Sequence, residues 1–162
     1  MKQNNLTAIK EEIDVLKRSK GLKIGRDATM CWISFNIDGE IYALHVQTAF
    51  RIRNKEEVLI ANLDMFEPSE SLKNSPSFDW ETFDWDVQGF NRFDEWATQF
   101  NKGIAKLLSV KEVCINDFGD LIIIFDENIV FEVFNNSTEE ECWRFFRKGS
   151  ECMVIGVDGL ID

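Results

Sequence analysis

The chain has 162 residues, 44% hydrophobic and 12% aromatic, with 29 acidic against 18 basic side chains and a formal net charge of −11. That length suits one domain, residues 1–162, with a sizeable core, and the composition is too apolar for a disordered chain. No run approaches the roughly 18 apolar residues of a membrane span, and the negative field repels nucleic acid, which needs clustered Lys and Arg.

The polar start, Met-Lys-Gln-Asn-Asn, lacks the apolar core of a secretory leader, so a cytoplasmic protein is expected. Leu6, Ile9, Ile13 and Leu16 recur at helical spacing, and Gly21 follows a basic Lys17, Arg18 and Lys20 as a plausible stop. Residues 30–35 alternate as a strand, and Asp38-Gly39 reads as a tight hairpin turn into a second strand over 40–48. Residues 51–53 and 58–61 are shorter strand candidates. Both prolines, Pro68 and Pro76, fall within 62–90 among serines, which predicts a loop or insertion. Phe90, Phe93, Ala97, Phe100, Ile104 and Leu107 then form an apolar stripe, predicting one long amphipathic helix over 90–108. Strands are predicted over 110–116, 121–125 and 129–134. A charged stretch, 138–141, leads into 142–146, and a final strand is predicted over 152–157.

These elements predict an α+β fold. Its sheet is mainly antiparallel, strongly bent or in two parts, with an N-terminal helix and the long helix packed on one face. The two halves echo each other: Ala43-Leu44-His45-Val46-Gln47 before Phe50-Arg51-Ile52, and Phe131-Glu132-Val133-Phe134 before Trp143-Arg144-Phe145. The plainer explanation is favoured: antiparallel meanders resemble one another.

Four widely spaced cysteines, Cys31, Cys114, Cys142 and Cys152, make no Cys-x-x-Cys pair, and the only histidine, His45, has no cysteine beside it. Structural zinc is not expected, and free thiols in a reducing compartment are. Cys31 and Cys114 sit in apolar runs and read as buried. No cofactor is called for. His45 is the obvious general base, but no nucleophile motif accompanies it. Abundant carboxylates form no calcium loop and no phosphate cradle.

The most unusual region is 62–96, with nine acids against two bases and eight of the twenty aromatics. Phe78-Asp79-Trp80 and Phe83-Asp84-Trp85 repeat one tripeptide. Exposed aromatics anchor protein interfaces, and carboxylates around them steer and orient a cationic partner. Asp79, Trp80, Glu81, Asp84, Trp85 and Asp86 are therefore the candidate partner-binding residues. A basic protein, such as a nuclease with a cationic phosphate site, would suit them. The plainer alternative is that these aromatics cap the sheet as a second small core.

Tyr42-Ala43-Leu44-His45-Val46-Gln47 with Phe50-Arg51-Ile52, and later Glu141-Cys142-Trp143-Arg144-Phe145-Phe146, resemble the motifs of a family of small bacterial proteins. In that family Trp stands where this chain has Phe50, and the second motif lacks Cys142. The likeness spans about residues 24–64 and 110–160. It implies a single-domain α+β protein, and some members are similar to immunity proteins of polymorphic toxin systems. No catalytic residue comes with it. His45, Gln47, Arg51, Trp143 and Arg144 match the motifs without an assigned role. Asp64 and Asp158 are candidate carboxylate partners for a buried arginine. The expectation is a non-catalytic protein that binds a basic toxin domain. Two other readings stay open: a small hydrolase using His45 with a carboxylate, and a regulatory module holding a small ligand in a sheet cleft.

Overall fold

The computed structural model describes the backbone of residues 3–150, 153–156 and 159–161, and side chains over 6–150. Helix α1 (Gln3–Ile13) leads through a 3-10 turn into strands β1 (Leu22–Asp27), β2 (Met30–Ile37), β3 (Glu40–Val46), β4 (Phe50–Arg53) and β5 (Val58–Ala61). The short helix α2 (Glu70–Lys73) and helix α3 (Arg92–Lys102) follow. Strands β6 (Val110–Ile115), β7 (Leu121–Phe125), β8 (Val130–Val133), β9 (Trp143–Arg147), β10 (Met153–Gly156) and β11 (Gly159–Ile161) complete the described chain.

The strands form two open antiparallel sheets, ordered β1-β2-β3-β9-β10-β11 and β5-β4-β8-β7-β6. The fold is therefore α+β with a two-part sheet. Alternation decides which side of each strand faces inward. Ile33, Phe35, Leu44, Val46, Trp143 and Phe145 from the first sheet join Phe50, Ile52, Leu121, Ile123, Phe131 and Val133 from the second in one buried core. Each fully buried Phe or Leu stabilises the fold by about 1.5–3 kcal/mol relative to exposure. Helix α3 lies against β1 and β5, one edge of each sheet, and α1 lies against β6 and β11, the opposite edges.

Five strands of one sheet correspond in order to five of the other: β1-β2-β3-β9-β10 matches β6-β7-β8-β4-β5. Each half makes a three-strand meander, crosses to the other sheet, and pairs with the last strand of the other meander. The registers agree as well. His45 opposes Arg144 and Leu44 opposes Phe145, just as Glu132 opposes Arg51 and Phe131 opposes Ile52. The crossovers bond alike: the Gln47 N–H donates to the Cys142 carbonyl (2.8 Å), and the Phe134 N–H donates to the Ala49 carbonyl (2.9 Å). The echo in the sequence thus reflects a repeated topology with a shared register, beyond the generic likeness of meanders.

Several elements differ from expectation. Strand β1 was not foreseen, because its inward positions carry Ile24 and then the charged Arg26. The long helix stops at Lys102 instead of continuing to 108. Gly103 leaves the helical region with ψ −117°, a conformation glycine reaches cheaply, and a 3-10 turn carries the chain on. Leu107, assigned to the apolar stripe, is consequently exposed. Cys114 is only half-buried, on the outer face of its sheet, whereas Cys31 is fully buried and burial pushes its thiol up. The expected strand over 152–157 is found as β10, and Cys152, Val157 and Asp158 lie outside the described residues.

Gly25 lies opposite Trp32, and the indole rests on the glycine where a Cβ would sit 2.3 Å from the ring. Gly25→Ala is expected to displace the rigid ring and destabilise the fold by about 1–3 kcal/mol. Urea unfolding measures this, and an unchanged midpoint would show that Trp32 moves freely outward.

Candidate functional site

The acidic-aromatic segment is an ordered excursion between β5 and α3, anchored by a buried ion pair. Arg26 points inward from β1 with its side chain 1% exposed. Its Nε and one Nη donate to the two carboxylate oxygens of Asp94, each at 2.8 Å, and Asp94 is itself 2% exposed. The other donors reach the Asp86 carboxylate (3.0 Å) and the backbone carbonyls of Ala28, Trp85 and Asp86. Burial alone would lower the guanidinium's pKa, but hydrogen bonds to Asp94 and Asp86 outweigh it and hold the group above its ordinary value. Every nitrogen is bonded, which is the condition for keeping such a charge inside.

Asp94 also accepts the Gly89 N–H (2.8 Å), and its own N–H is capped by the side chain of the fully buried Asn91 (2.8 Å). The Asn91 side-chain amide donates back to the Trp85 carbonyl (2.9 Å). Glu95 accepts from the Glu70 and Ser71 N–H groups and the Ser71 hydroxyl, fixing the start of α2. Those bonds, the Ser71 hydroxyl foremost, hold its carboxyl below the usual range. Arg92 pairs with Asp64 (3.0 Å). The first turn of α3 thus grips both ends of the excursion.

The repeated tripeptide builds two similar turns with opposite outcomes. Asp79 accepts the Glu81 N–H (2.9 Å), and Asp84 accepts the Asp86 N–H (3.0 Å), so both aspartates make the same side-chain turn. Trp85 turns inward, edge-on to Phe66 (4.9 Å between centroids), with the Arg26 guanidinium 5.8 Å from its centroid. Trp80 turns outward, 61% exposed, and sits edge-on to Phe78 (5.2 Å) and Phe83 (6.1 Å). Beside it opens a cavity of about 210 Å³ walled by Leu72, Phe78, Phe83 and Phe90 and edged by Asp79 and Thr82. Phe66, Val87 and Phe90 are also exposed large apolar residues of this segment.

The six candidate partner-binding residues therefore separate. Trp85 and Asp86 hold the excursion to Arg26, while Asp79, Trp80, Glu81 and Asp84 stand at the surface. Asp64, Glu70, Asp86 and Asp94 are neutralised by Arg92, Lys73 and Arg26. Glu67, Asp79, Glu81 and Asp84 form no ion pair among the described residues. Arg26 was not singled out from sequence. The available signal was the pair of strand-like runs on either side of Asp27-Ala28-Thr29, obscured by the charge at an inward position.

The motif residues lie elsewhere, as cross-strand neighbours. Trp143 is buried, and its indole N–H donates to the Gly119 carbonyl (2.9 Å), tying β9 to the β6–β7 turn. Arg51 pairs with Glu132 and lies over the Phe134 ring, and Arg53 reaches the same carboxylate (3.1 Å). Burial opposes the Glu132 charge, but the hydrogen bonds from Arg51 and Arg53 prevail and lower its pKa. Arg144 pairs with Glu141, which also accepts from Gln47 (3.3 Å). The carboxylates that meet Arg51 and Arg144 are therefore Glu132 and Glu141. Asp64, proposed for that role, serves Arg92, because it sits at the 3-10 turn after β5, below the start of α3.

His45 is flanked across strands by Trp32 and Arg144, with its ring perpendicular to Phe146 (4.9 Å). Burial first, and then the charge of Arg144, lower its imidazole pKa. A separate cleft of about 410 Å³ opens between α1 and the β3–β9 pair, lined by Glu11 and Glu12 against Arg18 and Arg147, with Tyr42 and Phe145 at its base. No helix is long and apolar enough to cross a membrane among the described residues. No family model, curated protein or solved structure matches the chain.

Asp94→Asn should leave the Arg26 charge buried and half-paired, costing about 3–5 kcal/mol. Urea unfolding with limited proteolysis of 84–89 reads both the stability and the release of the loop. A loss below about 1 kcal/mol would mean that the pair is not the anchor.

The lowered His45 pKa also has a definite sign. The unfolded imidazole takes up its proton near pH 6.5, whereas the folded ring resists to lower pH. The stability contributed by the neutral ring is complete above about pH 6.5 and is lost as pH falls below that through the ring's lower folded value. Unfolding midpoints at pH 7.5 and 5.5 should therefore drop more in the native chain than in His45→Gln. Parallel drops would contradict a desolvated ring.

Proposed function

We propose that this chain is a protein-binding protein, most concretely an immunity protein that neutralises a basic toxin domain by covering it. The excursion between β5 and α3 is its docking surface. One observation carries the reading: Trp80 stands exposed on a base of Phe78 and Phe83, near carboxylates that form no ion pair among the described residues. Tryptophan is a favoured interface anchor because it buries a large area with little entropy loss. Unpaired negative charge around it draws a cationic partner and sets its orientation. The Arg26–Asp94 anchor supports the reading further, since a surface held in place before binding has less ordering cost to meet. The toxin enters through the resemblance of the His45 and Trp143 motifs to proteins similar to immunity proteins. The mechanism is occlusion, and it needs no cofactor.

The test separates docking from folding. Reversing Asp86 would strip Arg26 of a partner, so the combination Asp79→Asn, Glu81→Lys and Asp84→Asn is preferred, since Asn retains both turns. A basic partner retained from the source lysate at low salt, and weakened at high salt, is identified by mass spectrometry and titrated by calorimetry. Trp80→Ala should weaken it by about 2 kcal/mol, and the triple variant should remove the salt-sensitive part. Thermal melts should stay unchanged. Equal affinity of the native chain and the triple variant would sink the docking surface.

A further inference from the structure

We propose that the cavity beside Trp80 receives a single arginine side chain of the basic partner, an assignment that rests on the protein-binding reading above and gives it a chemical anchor. The cavity is about 210 Å³. Small-molecule and cofactor sites run to roughly 300–1,000 Å³, so this one has room for one side chain and little more. Four of its seven lining residues, Leu72, Phe78, Phe83 and Phe90, are apolar and three of these are aromatic, which fits a methylene stem, while Ser77, Asp79 and Thr82 are polar. Its edge carries Asp79. One oxygen of that carboxylate, Oδ1, accepts the Glu81 N–H, and Oδ2 makes no hydrogen bond among the described residues.

The combination selects arginine over lysine. A guanidinium is planar and weakly hydrated, so it lies against aromatic faces while donating to a carboxylate. An ammonium holds its water more strongly and has no flat face to stack. Trp80 does not line the cavity itself but is exposed and packs against two of its walls, Phe78 and Phe83. A carboxylic acid or phosphate would meet Asp79 as a like charge, and a purely apolar side chain would leave the Asp79 charge unpaired beside it.

The full-length protein, labelled with nitrogen-15, is titrated with N-acetyl-arginine methylamide, with the lysine and norleucine analogues as probes of charge alone and stem alone. The expected result is saturable shifts at the amides of residues 77–83 with the arginine probe, in the millimolar range natural to so small a ligand. Asp79→Asn, which keeps the turn, should weaken it about fivefold. Shifts no larger with arginine than with norleucine, shifts centred elsewhere, or no effect of Asp79→Asn would overturn the proposal. Equal affinity for the lysine probe would overturn the choice of arginine. Because the probe is a free amino-acid derivative, a negative outcome leaves the salt-sensitive partner binding standing. Failure of that binding in turn leaves the arginine titration unaffected.

Discussion

A guanidinium taken out of water must find acceptors and charge balance inside the protein, and at Arg26 that requirement organises one whole side of the molecule. Asp94 answers it from the first turn of α3, Asp86 and two carbonyls answer it from the excursion, and the Ala28 carbonyl answers it from the β1–β2 turn. Three pieces of chain, two of them 60 or more residues from Arg26, are thereby fixed to one group. Ala28 holds a left-handed φ of 47°, unusual for a residue with a Cβ, at the position where its carbonyl is bonded. The desolvation cost of such a pair makes it a poor source of net stability, but removing either partner is expensive, so it acts as a strong constraint on geometry.

The rest of the fold is a repeated plan. Two meanders exchange their following strands, so each sheet is completed by the other half of the chain. The exchange explains why the motif residues cluster as cross-strand pairs. His45 with Arg144 and Glu132 with Arg51 occupy equivalent outward positions, and each arginine is balanced by a carboxylate from its own surroundings. At one position the carboxylate is in the strand pair itself. At the other it comes from Glu141, leaving a partly desolvated imidazole in the equivalent place. Paired aromatics at the centre, such as Phe50 against Phe131, fill the space between the sheets.

Charge is distributed to the same effect. The net −11 of the chain has its densest part in the excursion, yet four of its nine acids form internal ion pairs. Of the acids that form no ion pair among the described residues, Asp79, Glu81 and Asp84 lie within four residues of Trp80, the one strongly exposed tryptophan of the described chain. Internal neutralisation thus leaves unpaired carboxylates near the place where Phe78 and Phe83 carry the exposed ring.

Local patterning was legible in the sequence where its signal is local. Strands Val58–Ala61 and Leu121–Phe125 follow from β-branched and aromatic runs bounded by turn residues, and Asp38-Gly39 adopts the positive φ pair that its residues favour. The unusual segment could also be recognised from composition, since acids and aromatics are countable. Strand β1 could not, because alternation reads an inward Arg as an outward one until its partner is known, and Asp94 lies 68 residues away. The same holds for Trp80 and Trp85, which share a tripeptide and part only when Arg26 and Phe66 claim one of them. Composition and periodicity determined most of the strands, the α+β class and the acidic, aromatic character of the excursion. Tertiary structure alone decided which charges are paired inside and which stay at the surface, because that depends on contacts between residues far apart in the chain.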